Sequence, residues 1–519
     1  MKNKIMFWIF GIECAIFVLV VLSILPREFS LFVAVGLSIY ALLSSLENST
    51  ILFVMSIPLF LALPITTNFD NFNTWRIISV IIFLKWIYQE KLDYIKNLAS
   101  RPAQALFSTL EPVFSVPILL LLVTAVLSII PAPDKLLAVK RIIYFLNLSL
   151  IGVVIYDLAQ KNEVFVKKII KIISVPIIVV TIAGFVQLVS TYFIDIYQFM
   201  RIWGEGIQCR QFGNQWCDIA VQLGNTWFAY YGEQLSLRVF SLFPDSHSFP
   251  QFILLGLLAI FAIALSRFEL KNFENLKKML RTRTSLIIVW VPLVFLIAIL
   301  SGTRGIWAAS VGVLIFSFLV VWRLVVLKSD QRHINLFKYI SSYLVLFFLL
   351  FAIAYPIFIS PQFLLSKGDW GLLGNRIRSI IDFGETSNSQ RIEIWGKSLS
   401  SIKEKPLLGV GIGNFPVVLG QDLFLSKAGS SAHNLYLQIA SEMGLPALVI
   451  FMWFIFVLFN KTLKNFMSSG DVFVATYFGA SLLFIPWILI YSLTDVALFD
   501  ERAFLLFVTT TTLIFATKK

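Results

Sequence analysis

Charge is scarce in this chain. Only 14% of its 519 residues are Asp, Glu, Lys or Arg, against roughly a quarter in soluble domains. That deficit excludes a soluble multidomain protein. Histidine and cysteine are scarce too, with three of each: His247, His333 and His433; Cys14, Cys209 and Cys217. No two histidines stand at metal-ligand spacing, and no acidic cluster of the DxD kind occurs. No tightly held catalytic metal and no cofactor is therefore expected. No basic-aromatic module that would bind nucleic acid is present either. No strong internal repeat is visible, which disfavours secondary transporters built from two related halves.

What is present is apolar. Hydrophobic residues make up 58% and aromatics 15% of the chain, and mean hydropathy is +0.85. Runs of ~18 residues or more recur, each long enough to span hydrocarbon as a helix. The expected fold is an all-α polytopic membrane protein, a bundle of about 12–14 transmembrane helices. The spans fall near 6–25, 29–46, 51–66, 72–88, 112–130, 137–158, 165–190, 246–265, 284–300, 303–326, 337–358, 434–460, 471–492 and 499–516. The third is short, and the sixth, with Lys140 and Arg141 near its start, also reads as re-entrant. The first reads as an uncleaved span, because its apolar region is too long for a signal peptide and lacks a small-residue cleavage site. Cys14 lies within it and reads as packing.

The net charge of +13 is read first as positive-inside bias. With the N-terminus inside, the lysine-dense segments MKNK, Lys91 to Arg101, KNEVFVKKIIK, RFELKNFENLKKMLRTR, LKSDQRHINLFK, KTLKN and TKK fall almost all on one side. Both termini are then cytoplasmic. The chain divides into N-terminal spans (1–190), an outer loop (191–245), a second group of spans (246–358), a large outer loop containing short helices (359–433) and C-terminal spans (434–519). The second outer loop is unusually long for a passive connection.

The polar chemistry gathers at the outer ends. His433 follows Ser430 and Ser431, both good helix N-caps, and precedes the apolar helix LYLQIASEMGLPAL; it is expected in the first helical turn. The helix dipole there disfavours imidazolium and leaves a neutral imidazole suited to a general base. A capping histidine that only packs fits the same position. His333 reads as solvent-exposed and inert. Arg238, Arg304 and Arg391 recur at the outer ends of spans. Arg304 stands in the short turn SGTRG, where an arginine is costly unless paired or facing a polar cavity, and its planar fork suits phosphate oxygens. Each arginine taken singly also reads as an interfacial one that snorkels.

RIEIWGKSLSSIKE reads as an amphipathic helix with Ile392, Trp395, Leu399 and Ile402 on one face, on the membrane surface or packed on the bundle, and with Arg391 and Glu393 at its start. GVGIG lacks a Walker lysine and a βαβ context, so it reads as a close-packed backbone turn rather than a nucleotide loop. In the first loop, Asp245 is an Asx-type cap or a partner for an arginine or a substrate hydroxyl; His247 stands beside it. Cys209 and Cys217 suit a small disulfide-closed loop if that side is oxidising. Gln438 and Glu442 fall near membrane depth, in a functional role or at a bent helix start before Gly444-Leu445-Pro446.

SGTRGIWAASVGVLIF, RIEIWGKSLSSIKEKPLLGVGIGNF and AHNLYLQIASEMGLPAL, in this order, resemble the O-antigen ligase and O-antigen polymerase superfamily. RVFSLFPDSHSFPQF is similar to its arginine-containing outer-loop motif. The resemblance covers roughly residues 236–460. It implies a membrane glycosyltransferase of the GT-C type, acting without a metal in the bacterial cytoplasmic (inner) membrane, with its active site extracytoplasmic. It implies as donor an undecaprenyl-diphosphate-linked oligosaccharide, as acceptor a glycan, lipid or protein-linked sugar, and the lipid bilayer as the medium. It assigns His433 to the acceptor hydroxyl and Arg304, Arg391 and Arg238 to the diphosphate. Asn434, Asp245 and His247, beside them in the sequence, are further substrate-binding candidates. Fourteen spans exceed the number usual for ligases, and the paired cysteines lie outside the family pattern. The competing class is a transporter of a small anion or polysaccharide precursor, with the arginines at its mouth. A passive scaffold is a third class.

Overall fold

The computed structural model describes residues 2–65, 72–91, 112–223, 227–231, 234–266, 285–358, 386–421 and 430–517. Each of the fourteen apolar segments forms a helix. These are α1 (Lys2–Val21), α2 (Phe29–Leu43), α3 (Leu46–Ser56), α4 (Thr74–Trp86), α5 (Pro112–Leu127), α6 (Lys135–Lys161), α7 (Glu163–Ser190), α8 (Ser248–Leu265), α9 (Ser285–Leu300), α10 (Arg304–Val326) and α11 (Gln331–Phe358). After the surface helix α12 (Thr386–Glu404) come α13 (Leu435–Ser468), α14 (Val472–Tyr491) and α15 (Glu501–Ala516). Among the described residues, eight are long and apolar enough to cross a membrane: α1, α6, α7, α8, α10, α11, α13 and α14. The chain is an all-α polytopic membrane protein. α6 is one continuous helix rather than a re-entrant pair.

Two short antiparallel hairpins interrupt the helices. β1 (Ala62–Leu63) pairs with β2 (Phe72–Asn73), and β3 (Phe228–Tyr231) with β4 (Gln234–Leu237). The third apolar segment does not run on to residue 66. It breaks at Pro58 into a 3-10 turn and then β1, because proline lacks the N–H that the next helical turn needs.

The axis of the bundle is α8. Every residue of it except Ile263 is buried, as an all-round apolar helix requires. It packs against α7, α9 and α14. Trp487 on α14 stacks on Phe484 at 10° and donates to the Ile306 carbonyl at 3.1 Å. The outer surface is apolar instead: Trp8, Phe32, Leu43 and Phe318 are exposed, the pattern of a lipid-facing wall.

The glycine-rich turn after α12 is the close-packed element expected. The Val410 and Gly411 N–H groups donate to the carbonyls of Ser441 and Glu442 at 2.8 and 2.9 Å. Gly411 has φ +100°, and a Cβ there would collide with Ala132. α13 bends at Gly444 (φ +85°), where the Leu407 carbonyl leaves no room for a side chain. Glu442 fastens this turn. Its carboxylate accepts from Gln438 Nε2 at 2.8 Å and from the Gly413 and Phe415 N–H groups. The bent helix start is therefore what Gln438 and Glu442 build.

His333 departs from expectation. It is 5% exposed, its Nε2 lies 3.0 Å from the Ser469 carbonyl, and its ring meets Phe466 edge-on. Its place at the start of α11 lays it against the end of α13, so the basic loop around it does not decide its exposure. The lysine-rich segments expected inside, around 92–101 and 267–284, and most of the large loop (359–385 and 422–429) lie outside the described residues.

Candidate active site

His433 sits in a short loop held on both sides. Before it, the Ala432 N–H donates to Gln438 Oε1 at 2.8 Å and the Ala432 carbonyl accepts from Trp395 Nε1 of α12 at 3.0 Å. After it, the Leu435 N–H donates to the Ser492 carbonyl, just beyond α14, at 2.8 Å. The N-cap of α13 is Asn434, not Ser430 or Ser431: its Oδ1 accepts from the Tyr436 and Leu437 N–H groups, each at 3.0 Å. Asparagine is among the strongest N-caps, and here it displaces the serines from that role. His433 thus precedes the helix rather than lying in its first turn. It adopts φ +45°, a conformation that costs a non-glycine residue about 1–3 kcal/mol and persists only when neighbours impose it. Its Nδ1 is buried, and no described residue hydrogen-bonds to it. Burial holds the imidazole pKa below its ordinary value; Arg391 and His247 add to that effect and Asp495 opposes it.

His247 is held differently. Arg238 Nη1 lies 2.8 Å from His247 Nε2, and Asp495 Oδ2 lies 3.0 Å from His247 Nδ1. Guanidinium is only a donor. Nε2 must therefore accept, and the imidazole proton belongs on Nδ1, facing the carboxylate. This assignment follows from the partners. Both nitrogens are engaged, so His247 has no lone pair left for a substrate. Asp495 is buried, which raises its pKa, but His247, His433 and Arg391 outweigh burial and hold it below the usual carboxylate range. Tyr491 Oη stands 3.3 Å from His247 Nδ1.

The three arginines come to this same end of the bundle. Arg238 also donates to Ser246 Oγ at 2.9 Å. Arg391 precedes Trp395 by one turn of α12 and acts on His433, Asp495 and Tyr491 through its charge. Arg304 opens α10. Its turn is tied to the His247 segment, since Thr303 Oγ1 donates to the Ser246 carbonyl at 2.7 Å. Gly305 lies so close to Tyr491 and Thr494 that a Cβ would collide with both. Asp245 is the Asx cap: one oxygen accepts the His247 and Ser248 N–H groups at 2.8 and 2.7 Å. The cap oxygen of Asn434 is likewise engaged in the fold.

α12 is helical as expected, but its apolar residues do not share one buried face. Ile402 is buried, while Ile392 and Leu399 are exposed. Trp395 and Ser398 turn inward because Ala432 and the bundle lie on that side. Glu393 points outward to Lys397 at 2.8 Å, away from Arg391's partners. Cys209 and Cys217 are joined in a disulfide.

Sequence reasoning missed Asp495 and Tyr491. The signal was present: TDVALFDER puts Asp495, Asp500, Glu501 and Arg502 between two apolar segments, yet hydropathy absorbs the last three into a span. Arg502 is in fact fully buried. It donates to the carbonyls of Leu242 and Phe60 and packs over Phe212 at 4.6 Å. Among the described residues, no three metal-ligating side chains gather.

No curated protein matches the chain at a significant level. Apolar helices and family likeness together support a bacterial membrane protein of O-antigen ligase or polymerase type. Residues 287–452, a segment that holds Arg304, Arg391 and His433, match the O-antigen ligase family model, which supports the O-antigen ligase and polymerase superfamily for this part of the chain.

Proposed function

We propose that this protein is a metal-independent glycosyltransferase acting at the outer face of the bacterial cytoplasmic membrane. Its donor is an undecaprenyl-diphosphate-linked oligosaccharide. Its acceptor is a glycan or a lipid- or protein-linked sugar. The observation that carries this reading is the buried, unpartnered Nδ1 of His433 beside Arg391 and the Arg238–His247–Asp495 chain. The acceptor hydroxyl attacks the anomeric carbon while His433 takes its proton. A new glycosidic bond forms and the bond from that carbon to the diphosphate oxygen breaks, in one inverting displacement. The leaving diphosphate gains negative charge, which Arg391, Arg304 and Arg238 stabilise from fixed positions. His247 and Asp495 hold Arg238 in place.

The disulfide supports the orientation. Cys209 and Cys217 are joined in a disulfide, and such bonds persist in oxidising compartments, which favours the reading of their segment as an outer loop. On this topology both termini are cytoplasmic.

The test is glycan transfer from a lipid-diphosphate donor by purified protein in detergent with EDTA. Transfer should survive EDTA and fall by about 10²–10⁴-fold in folded His433→Ala, the range of general base catalysis. Loss of transfer with EDTA, or a fully active variant, refutes the proposal. Anion flux without transfer would make the protein a transporter.

A further inference from the structure

A second cationic cluster lies at the same end of the bundle, among residues the transfer chemistry does not use. Arg76 of α4 and Arg141 of α6 both stand over the ring of Tyr144, at 5.4 and 5.0 Å from its centre. The ring cannot move away, because Tyr144 Oη donates to the Phe499 carbonyl at 3.2 Å and Trp75 meets the ring edge-on. Two guanidiniums on one ring repel each other. Neither forms an ion pair or donates a hydrogen bond to a described residue, and Arg76 Nε is buried without a partner.

The acids nearby act on these guanidiniums through charge, Glu501 on Arg76 and Glu442 on Arg141, but spend their hydrogen bonds elsewhere. Glu501 accepts from Asn73 Nδ2 and Trp75 Nε1, each at 2.6 Å. Glu442 is engaged by Gln438 and the glycine-rich turn. Two planar donor forks therefore face an unfilled demand for oxygen acceptors, the geometry that recognises phosphate. Arg141 also lies against the glycine-rich turn, its Cβ 3.3 Å from where a Gly413 Cβ would stand. That turn leads back through α13 to His433.

We propose that Arg76 and Arg141 form a second phosphate subsite, separate from Arg238, Arg304 and Arg391, that holds the phosphate of a lipid-borne acceptor. This rests on the transferase reading above and deepens it: a chain with two lipid-phosphate subsites on one face joins two lipid-linked glycans. A bulk phospholipid headgroup offers the same phosphate chemistry.

The test is native mass spectrometry of the full-length protein in phosphatidylcholine nanodiscs with undecaprenyl diphosphate as probe. Wild type should retain two probe molecules. Arg76→Gln/Arg141→Gln should retain one, and Arg391→Gln should lose the other. If the double variant fails to fold, Arg76→Gln alone serves, since its guanidinium has no described hydrogen bond to lose. Two probe molecules retained by the Arg76 and Arg141 variants overturn the second subsite while leaving the transferase reading intact. Displacement of the second probe molecule by an equal concentration of phosphatidylglycerol overturns its assignment to an acceptor. No probe bound to wild type removes the donor reading and this inference together.

Discussion

Asp495→Asn tests the electrostatic logic of the site with a nearly isosteric change. In the wild type, Oδ2 accepts the His247 Nδ1 proton at 3.0 Å, while Oδ1 accepts the Val496 and Ala497 N–H groups at 2.7 and 3.0 Å. An amide cannot satisfy both sides. Turned one way, its NH₂ meets the His247 N–H; turned the other, it meets two backbone N–H groups. A hydrogen bond to a charged group is worth about 1.5–3 kcal/mol. If Arg238 is held in place by this chain, kcat/KM falls by roughly 10- to 150-fold. The pH profile gives a second readout. In the proposed reaction His433 serves as base only when neutral, so the rate should decline as pH falls through its pKa. Asp495 raises that pKa and Arg391 lowers it. The acid limb should therefore move to lower pH in Asp495→Asn and to higher pH in Arg391→Gln. Initial transfer rates across the pH range check this. Shifts of the same sign in both variants, or a wild-type rate in Asp495→Asn, refute the reasoning.

Asp500 caps α15, its Oδ1 accepting from Arg502 and Ala503 N–H groups at 3.1 and 3.2 Å. Asp500→Ala removes that cap oxygen and should lower the thermal midpoint in detergent by the equivalent of about 0.5–2 kcal/mol, whereas Asp500→Asn keeps a cap oxygen and should stay close to wild type. Gly411→Ala should lower the midpoint, since φ +100° and contact with Ala132 oppose a Cβ and such strain costs about 1–3 kcal/mol. Gly396→Ala, where the Cβ meets open space inside α12, is the control and should raise the midpoint slightly, since alanine is favoured over glycine in a helix interior. In a Cys14→Ser background, a thiol reagent should label Cys209 and Cys217 only after reduction; labelling beforehand refutes the disulfide.

The helices were legible because their apolar runs are long. Continuous hydrophobicity over ~18 residues has no stable alternative to helix in a bilayer. The hairpins β1–β2 and β3–β4 were not, since two and four residues per strand carry no measurable alternation. His433, His247, Arg238 and Arg391 stood out as polar residues at the ends of apolar segments. Asp495 and Tyr491 did not, because contacts distant in sequence, such as the Leu435–Ser492 and Tyr436–Leu489 hydrogen bonds, bring their segment beside the others. His333 was misread for a related reason: neighbouring lysines and arginines report the loop's charge, not the helix end packed over it.

The division of labour between the two outer histidines shows why residue type alone under-determines a site. In the sequence, His247 and His433 look equivalent, each following a serine-containing turn and preceding an apolar helix. In the fold, Arg238 and Asp495 saturate His247 from opposite sides. With Nε2 accepting from Arg238 and Nδ1 donating to Asp495, His247 acts as a fixed bridge that transmits Asp495's hold on Arg238. His433 has the opposite environment: strained backbone, burial and an unpartnered nitrogen. A residue kept at φ +45° against a cost of about 1–3 kcal/mol is held there by Trp395, Gln438 and Ser492. Glycine at 433 would relieve the strain and should raise thermal stability while abolishing transfer. A His433→Gly protein that is less stable than wild type would mean the imidazole's packing outweighs its backbone strain, and the argument for a positioned base would lose that support.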